Sequence, residues 1–351
     1  MKQINNDLSK AKVKVLSMEE IILNFDERIK KINEKINDIL NEKLPHDNLT
    51  TIFNNIINKK YIEEQNNFCK NEYIFYNKNY EEKIKISNVI FENFNYYMFV
   101  YKSDDIVSNI IIKEKAWETG ETKNLLNGLN YYSKKKNITN NDIYILDIGA
   151  NIGWYTFIFG KYGYQIISFE PSNINYYILR KNYCLNKNLN ITLINKGLFT
   201  EEKKCYLYSY KNNIGNGMSI CDQNNTKPKN VIKTGEIILT KLSNYIPYLS
   251  KKNLALIKID VEGSEGKVIE SGIELITEYH VPFIFLEFTP SSLKLHGTEP
   301  KEFLQMFINN GYKISKISFF NQEYSSPDEI IAACHDLVNL YIIYSKFYEN
   351  K

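Results

Sequence analysis

Apolar side chains recur at alternating steps of four and three along the start of the chain: Ile4, Leu8, Ala11, Val15, Met18, Ile22, Phe25, Ile29, Ile32, Ile36 and Ile39. That spacing is the seam of a coiled coil, and Pro45 ends it. With Leu8, Val15, Ile22, Ile29 and Ile36 at position a, Asp7 faces Lys12 and Lys14 faces Glu19 of a parallel partner helix. Isoleucine at both a and d in the later heptads favours more than two strands. Residues 1–44 are therefore expected to be a coiled-coil helix that makes the chain a homo-oligomer, a trimer or a dimer. The competing reading is an amphipathic helix packed on its own domain, because Ile21, Leu23 and Leu40 widen the apolar face.

The next stretch changes period. Residues 48–59 read as a short helix and 72–76 as a strand. From Lys83 to Ile112 the chain alternates and is rich in β-branched and aromatic residues, which predicts antiparallel strands through 84–91, 96–101 and 106–112, with Ser103-Asp104-Asp105 as a turn. Residues 45–115 thus read as an accessory α/β segment. Trp117-Glu118 leads into a helix from Glu121 to Ser133.

From Asn141 onward, strands and helices alternate, the signature of a parallel sheet covered on both faces. The predicted strands are 144–148, 165–169, 191–195, 254–259, 283–288, 312–318 and 337–344. The predicted helices cover 156–161, 173–184, a stretch from Gly263 to about Glu278, and 303–309. Residues 205–240 read as an insertion of short strands and a loop broken by Gly215-Asn216-Gly217 and Pro228.

Composition narrows the classes. The chain has 351 residues, 43% of them hydrophobic, enough for a large domain plus an accessory segment. A net charge of +3 gives no electrostatic case for nucleic acid. Asn, Ile, Lys and Tyr abound everywhere, so scattered lysines and tyrosines carry little meaning. Five cysteines, odd in number and widely spaced without a Cys-x-x-Cys pair, argue against a disulfide framework or a zinc site and for a reducing compartment. No apolar run approaches the roughly 20 residues that span a bilayer, and the N-terminus lacks a signal-peptide core. A soluble cytoplasmic protein with no membrane partner is the expectation.

The chemistry gathers at the strand ends. Residues 145–154 read Ile-Leu-Asp-Ile-Gly-Ala-Asn-Ile-Gly-Trp, a strand, a glycine turn and a helix start. Glycine lets the backbone approach a ligand closely. The spacing is Gly149-x-x-x-Gly153, with Asn151 where a dinucleotide fingerprint has its middle glycine, so S-adenosylmethionine is favoured over NAD. Ligands bind such sheets beyond the strands' carboxyl ends, where Asp147, Glu170, Asp260 and Glu287 fall. A lone acid there is as often a helix cap; four of them are a stronger signal. Asp147, Gly149, Asn151, Gly153, Trp154, Glu170 and Pro171 are the candidate cofactor residues. Glu170 is placed to accept both ribose hydroxyls, with Pro171 fixing the turn after it. Asp147 orders the glycine turn or meets the methionine ammonium group.

Four segments, Asp147-Ile-Gly-Ala-Asn-Ile-Gly153, Phe169-Glu170-Pro171-Ser172, Lys258-Ile-Asp-Val-Glu-Gly-Ser-Glu265 and Phe285-Leu-Glu-Phe288, resemble FkbM-family methyltransferases in order and context. Over roughly residues 95–345 the resemblance implies a class I, Rossmann-like, doubly wound α/β sheet of about seven strands, the last antiparallel, within a domain at 116–351. It also implies S-adenosylmethionine as cofactor and O-methylation of a hydroxyl, commonly on a sugar or natural product. Such a transfer is an in-line displacement that needs the acceptor proton removed. Asp260 is the expected base, with Glu262 holding the acceptor or sharing that role. Alternatively, Asp260, Glu262 and Glu287 hold a divalent cation, which this reading does not require. Glu265 reads as charge complementing a helix start, and Lys258 either pairs with Asp260 or makes an ordinary structural salt bridge. His296 is a second candidate base. The expected acceptor is a sugar in a glycan precursor or a nucleotide sugar. The rivals are ribose 2′-O methylation of RNA and a non-catalytic scaffold.

Overall fold

The computed structural model describes residues 60–221, 230–321, 323–334 and 336–349. The expected coiled coil at 1–44 and the helix at 48–59 lie outside these residues. Everything described falls in one unit, Ile57–Lys351.

A helical segment over 60–70 comes first. Residues 72–76, expected as a strand, form turns in which Ile74 N donates to the Asn71 carbonyl. Tyr73, Ile74 and Tyr76 are exposed there, so their apolar character buries nothing. Strands β1 (Ile84–Phe91) and β2 (Phe94–Tyr101) pair as the expected antiparallel hairpin. The third expected strand is instead helix α1, Ile106–Glu114. Asp105 caps it, its carboxylate accepting from Ser108 N at 2.8 Å, and Ser108 Oγ accepts from Tyr101 N at 3.0 Å. Val107, Ser108 and Ile111 then face inward at helical spacing. A good cap and tertiary burial override the β propensity of the isoleucines. Helix α2, Thr119–Lys136, follows.

The main sheet has seven strands. In chain order they are β3 (Ile143–Ile148), β4 (Gln165–Phe169), β5 (Ile191–Ile194), β10 (Asn253–Ile259), β11 (Phe283–Phe288), β12 (Tyr312–Ser315) and β13 (Val338–Tyr344). Across the sheet they lie as β12-β13-β11-β10-β3-β4-β5. β3, β4, β5, β10 and β11 run parallel, while β13 pairs antiparallel with both β11 and β12. Strand order reverses at β3, which has β10 on one side and β4 on the other, so a crevice opens above its carboxyl end. β3 and β10 are buried nearly throughout, as a sheet covered on both faces requires. The helices between these strands include α3 (Trp154–Lys161), α4 (Asn173–Leu185), α5 (Glu265–Glu270), α6 (Glu274–Thr277), α7 (Pro290–Leu295) and α8 (Pro300–Asn309). The single helix expected up to Glu278 breaks into α5 and α6, with Gly272 between them packed on the Leu242 side chain.

The insertion is more ordered than the sequence suggests. β6 (Gly197–Leu198), β7 (Lys203–Tyr210), β8 (Asn213–Ile220) and β9 (Val231–Thr240) form a second sheet in the order β6-β9-β7-β8. Two disulfides correct the cysteine reading: Cys69 joins Cys184 and Cys205 joins Cys221, leaving Cys334 free. The first closes a separation of 115 residues with the Cα atoms 5.4 Å apart, a proximity invisible in linear spacing. The cysteines therefore lend no support to a reducing compartment. Among the described residues no helix is long and apolar enough to cross a membrane.

Candidate active site

Two strand ends meet in the crevice. After β3 the chain turns at Gly149, whose φ of +78° suits glycine, and whose N–H donates to the Phe169 carbonyl at 2.9 Å. A Cβ at Gly149 would lie 1.8 Å from the Asp260 carbonyl oxygen, so the turn and the end of β10 touch backbone to backbone. Asn151, also at positive φ, donates its N–H to Glu170 Oε2 at 2.7 Å. Ser172 N donates to Glu170 Oε1 at 2.8 Å. Glu170 is thus fixed by main-chain groups and is 5% exposed. Burial raises its pKa to about 7, against the lowering effect of those N–H groups.

Gly149, Asn151, Glu170 and Pro171 line one cavity together with Asp260 and Glu262. Three other cofactor candidates stand elsewhere. Asp147 is buried beneath the turn, where Thr156 Oγ1 donates to it at 2.6 Å, so it orders the turn. Gly153, at φ +100°, ends the turn where a Cβ would strike the Phe157 ring at 2.5 Å. The side chain of Trp154 points into the core, its Nε1 donating to Thr122 Oγ1 at 2.9 Å and its ring edge-on to Phe91. Helical phase turns the residue after Gly153 away from the cavity. The far wall is Leu207, Gly215, Gly217 and Leu239 of the second sheet, held in place where Asn175 Nδ2 donates to the Gly215 carbonyl at 2.8 Å. The sequence placed these residues in an insertion and gave no sign that it folds back over the cavity.

Lys258 joins the two halves. The residue is 3% exposed, and its ammonium donates to the Gly149 carbonyl at 2.8 Å and to Asp260 Oδ2 at 3.4 Å, and lies 3.5 Å from Asp147 Oδ1. Burial alone would lower its pKa, but the charges of Asp260, Asp147 and Glu118 outweigh that and hold it above the ordinary lysine value. Asp260 keeps its side chain 42% exposed. Glu262 turns at φ +56°. The carboxylates of Asp260, Glu262 and Glu287 bring one oxygen each within 4.8 Å of one another. Burial, then the charges of Asp260 and Glu265, push Glu262 up to about 8. Burial, then Asp260, Glu262, Glu265 and Glu118, push Glu287 up to about 10. Glu265 folds back onto the loop, Oε1 accepting from Val261 N at 3.1 Å and Gly263 N at 3.2 Å, and burial lifts it to about 7.

Glu118 was hidden in the sequence as one acid before a helix. It takes the left-handed conformation, accepts from Tyr155 Oη at 2.6 Å, and is raised by burial and by the charge of Asp260. His296 sits against Gly263 with Nδ1 3.0 Å from the Ser292 carbonyl and Nε2 3.4 Å from the Ser219 carbonyl; its contacts are carbonyls rather than acids. His280 stacks on Tyr344, away from the crevice.

These acids fix a pH dependence. Glu170, Glu262, Glu265 and Glu287 all have folded pKa values raised above the ordinary 4.5. Between about 4.5 and 10 the folded state binds more protons than the unfolded chain, so stability falls as pH rises. The melting temperature is expected to be lower at pH 9 than at pH 6; an equal or higher value at pH 9 would mean that these acids ionise freely in the fold.

Residues 147–314 match the methyltransferase FkbM domain. No protein of curated function matches the chain in sequence. Among solved structures, the bifunctional kinase-methyltransferase WbdD aligns with a TM-score of 0.38 and 10% identity, covering 64% of this chain and 38% of that one. Magnesium protoporphyrin IX methyltransferase from Synechocystis PCC 6803 with bound SAM gives a TM-score of 0.32 and 9% identity over 64% and 79%. The tRNA (uracil-54, C5)-methyltransferase of Pyrococcus abyssi with S-adenosyl-L-homocysteine gives 0.34 and 10% over 74% and 44%.

Proposed function

We propose that this chain, whose residues 147–314 match the methyltransferase FkbM domain, is an S-adenosylmethionine-dependent O-methyltransferase of the class I fold whose acceptor is a sugar hydroxyl. The observation that carries the reading is the contact between the Gly149 turn and the end of β10, which sets a nucleoside-holding carboxylate and an acceptor-side carboxylate on one cavity.

The residues present fit the cofactor. A carboxylate offers about four lone-pair sites; Glu170 uses Oε1 on Ser172 N and Asn175 Nδ2 and part of Oε2 on Asn151 N, leaving Oε2 able to accept a ribose hydroxyl. Asn151 Oδ1 is buried without a hydrogen-bond partner beside it. Gly149 gives the backbone close approach, and Pro171 and Leu239 offer apolar surface for the base. When bound, the sulfonium supplies an activated methyl carbon and leaves as a neutral thioether.

The chain's own residues supply orientation and proton removal. Asp260, half-open to solvent and beside the cofactor turn, accepts the acceptor's hydroxyl proton. Glu262, with its proton affinity raised toward neutrality, holds a second hydroxyl or receives the proton next. Lys258 keeps the Gly149 carbonyl and Asp260 at fixed separation. A mouth rich in carboxylates suits a polyhydroxylated acceptor, each oxygen taking a hydroxyl proton in a hydrogen bond. Incubation with methyl-labelled cofactor and a panel of free and nucleotide-linked sugars tests the reading: label in a sugar, located by mass spectrometry, supports it, and label in none of them removes the sugar assignment.

The same proposal extends to assembly. The heptads of residues 1–44 are expected to hold several copies together, so deleting them should reduce the mass in light scattering to that of one chain. An unchanged mass would mean the segment packs on its own domain.

A further inference from the structure

We infer that Tyr101 and Asn175 are positioning residues for the cofactor cavity: the Tyr101 hydroxyl, on the accessory hairpin, holds the Asn175 amide so that its one NH₂ group ties Glu170 to the opposite wall at Gly215. The inference deepens the proposed function and rests on it for what the cavity holds. Tyr101 lies outside residues 147–314, the stretch that matches the methyltransferase domain, so the hairpin gains a part in the site.

Both side chains are buried. Asn175 stands in the first turn of α4 and is 3% exposed, and Tyr101, the last residue of β2, is fully enclosed. Asn175 Nδ2 donates to the Gly215 carbonyl at 2.8 Å and reaches Glu170 Oε1 at 3.4 Å. A carbonyl and an ionised carboxylate only accept, so both require the NH₂ edge of the amide. The amide oxygen is thereby turned to Tyr101, whose Oη lies 2.6 Å away and donates to it. Burial, then the charges of Asp105 and Glu170, hold the Tyr101 pKa well above the ordinary tyrosine value, so the hydroxyl keeps its proton. A flipped amide would set its oxygen against two acceptors. Tyr101 thus supports the one orientation in which Asn175 serves Glu170 and Gly215 together.

The wall needs such a tie. β8 is the last strand in the order β6-β9-β7-β8 and has a strand neighbour on one side only. It carries Gly215, Gly217 and Ser219 along the cavity. The turn after Tyr101 grips the same strand twice more: Ile214 N donates to the Asp104 carbonyl at 2.7 Å, and Ile106 N to Asn213 Oδ1 at 3.2 Å. Tyr101, Asn175, Glu170 and Gly215 are therefore linked in one buried polar network, whose members act as a unit. A residue there only to fill the core would need the ring of Tyr101 and not its hydroxyl.

The test is calorimetric titration of S-adenosylmethionine into the full chain at pH 8, for wild type, Tyr101→Phe, Asn175→Asp, Glu170→Ala and the double variant Tyr101→Phe with Glu170→Ala. The melting temperature of each serves as the fold control. Tyr101→Phe keeps the ring and removes the donor; Asn175→Asp keeps the shape and puts an oxygen against two acceptors. We expect Tyr101→Phe to weaken binding about three- to tenfold, the scale of one hydrogen bond, and Asn175→Asp to weaken it further. In the Glu170→Ala background the loss from Tyr101→Phe should shrink, because residues in one network are energetically coupled. Equal loss in both backgrounds would show a structural role alone and overturn the inference, as would unchanged affinity in folded Tyr101→Phe. If Asn175→Asp does not fold, Tyr101→Phe and the double variant decide. A wild type that binds no S-adenosylmethionine would sink the cofactor reading and this role with it; binding in wild type with additive losses would sink the role alone.

Discussion

Asp260→Asn is expected to bind S-adenosylmethionine nearly as well as wild type and to transfer methyl about 10²- to 10⁴-fold more slowly, the usual range for losing a positioned base. The fold should tolerate the change. The main-chain N–H of Asp260 donates to the Ile148 carbonyl at 3.0 Å whatever the side chain is, and that side chain is 42% exposed. Lys258 keeps Asp147 and the Gly149 carbonyl as partners, so no buried charge is left alone. Transfer of labelled methyl to the acceptor found in the sugar panel is the readout. Full turnover in a variant that binds cofactor would remove Asp260 as base and pass the role to Glu262, whose raised proton affinity makes it the next candidate.

Glu170→Ala should weaken S-adenosylmethionine binding by about 10- to 100-fold, about 1.4–2.8 kcal/mol. The change removes the acceptor for a ribose hydroxyl and strands the N–H groups of Asn151 and Ser172, which it now fixes. Charge-assisted hydrogen bonds of this kind contribute about 1.5–3 kcal/mol each. Because burial places the carboxyl near 7, its acceptor strength depends on pH. Wild-type affinity should decline as pH falls through 7, when Glu170 takes a proton, and that decline should be absent in Glu170→Ala. Calorimetry at several pH values checks both. An affinity indifferent to Glu170 and to pH would put the ribose elsewhere.

Much of this site was legible along the chain because its signals are local. Strand ends announce themselves where β-branched runs stop, and at β4 and β11 the expected and observed strands coincide. The acids Glu170, Asp260 and Glu287 lie at those ends because the chain leaves the sheet there. Three things were not legible, each because it depends on contacts between distant residues. The helix at 106–114 wears the composition of a strand; the deciding interaction is Ser108 Oγ accepting from Tyr101 N, together with the Asp105 cap. Glu118 reaches the acids only because α2 is docked with its first turn at Tyr155. The second sheet walls the cavity through glycines at 215 and 217 that read, in sequence, as breakers of a loop. The placing of the Trp154 side chain was hidden too: adjacency to a glycine turn says nothing about helical phase, and its indole packs in the core with Phe91.

The most direct test of the account is calorimetric titration of S-adenosylmethionine into the full chain at pH 8, with Glu170→Ala beside it. Saturable binding at one site per chain, weakened in Glu170→Ala, is the expected result. No heat of binding, or binding of equal strength in both proteins, would contradict the claim that the Gly149 turn and Glu170 hold the cofactor.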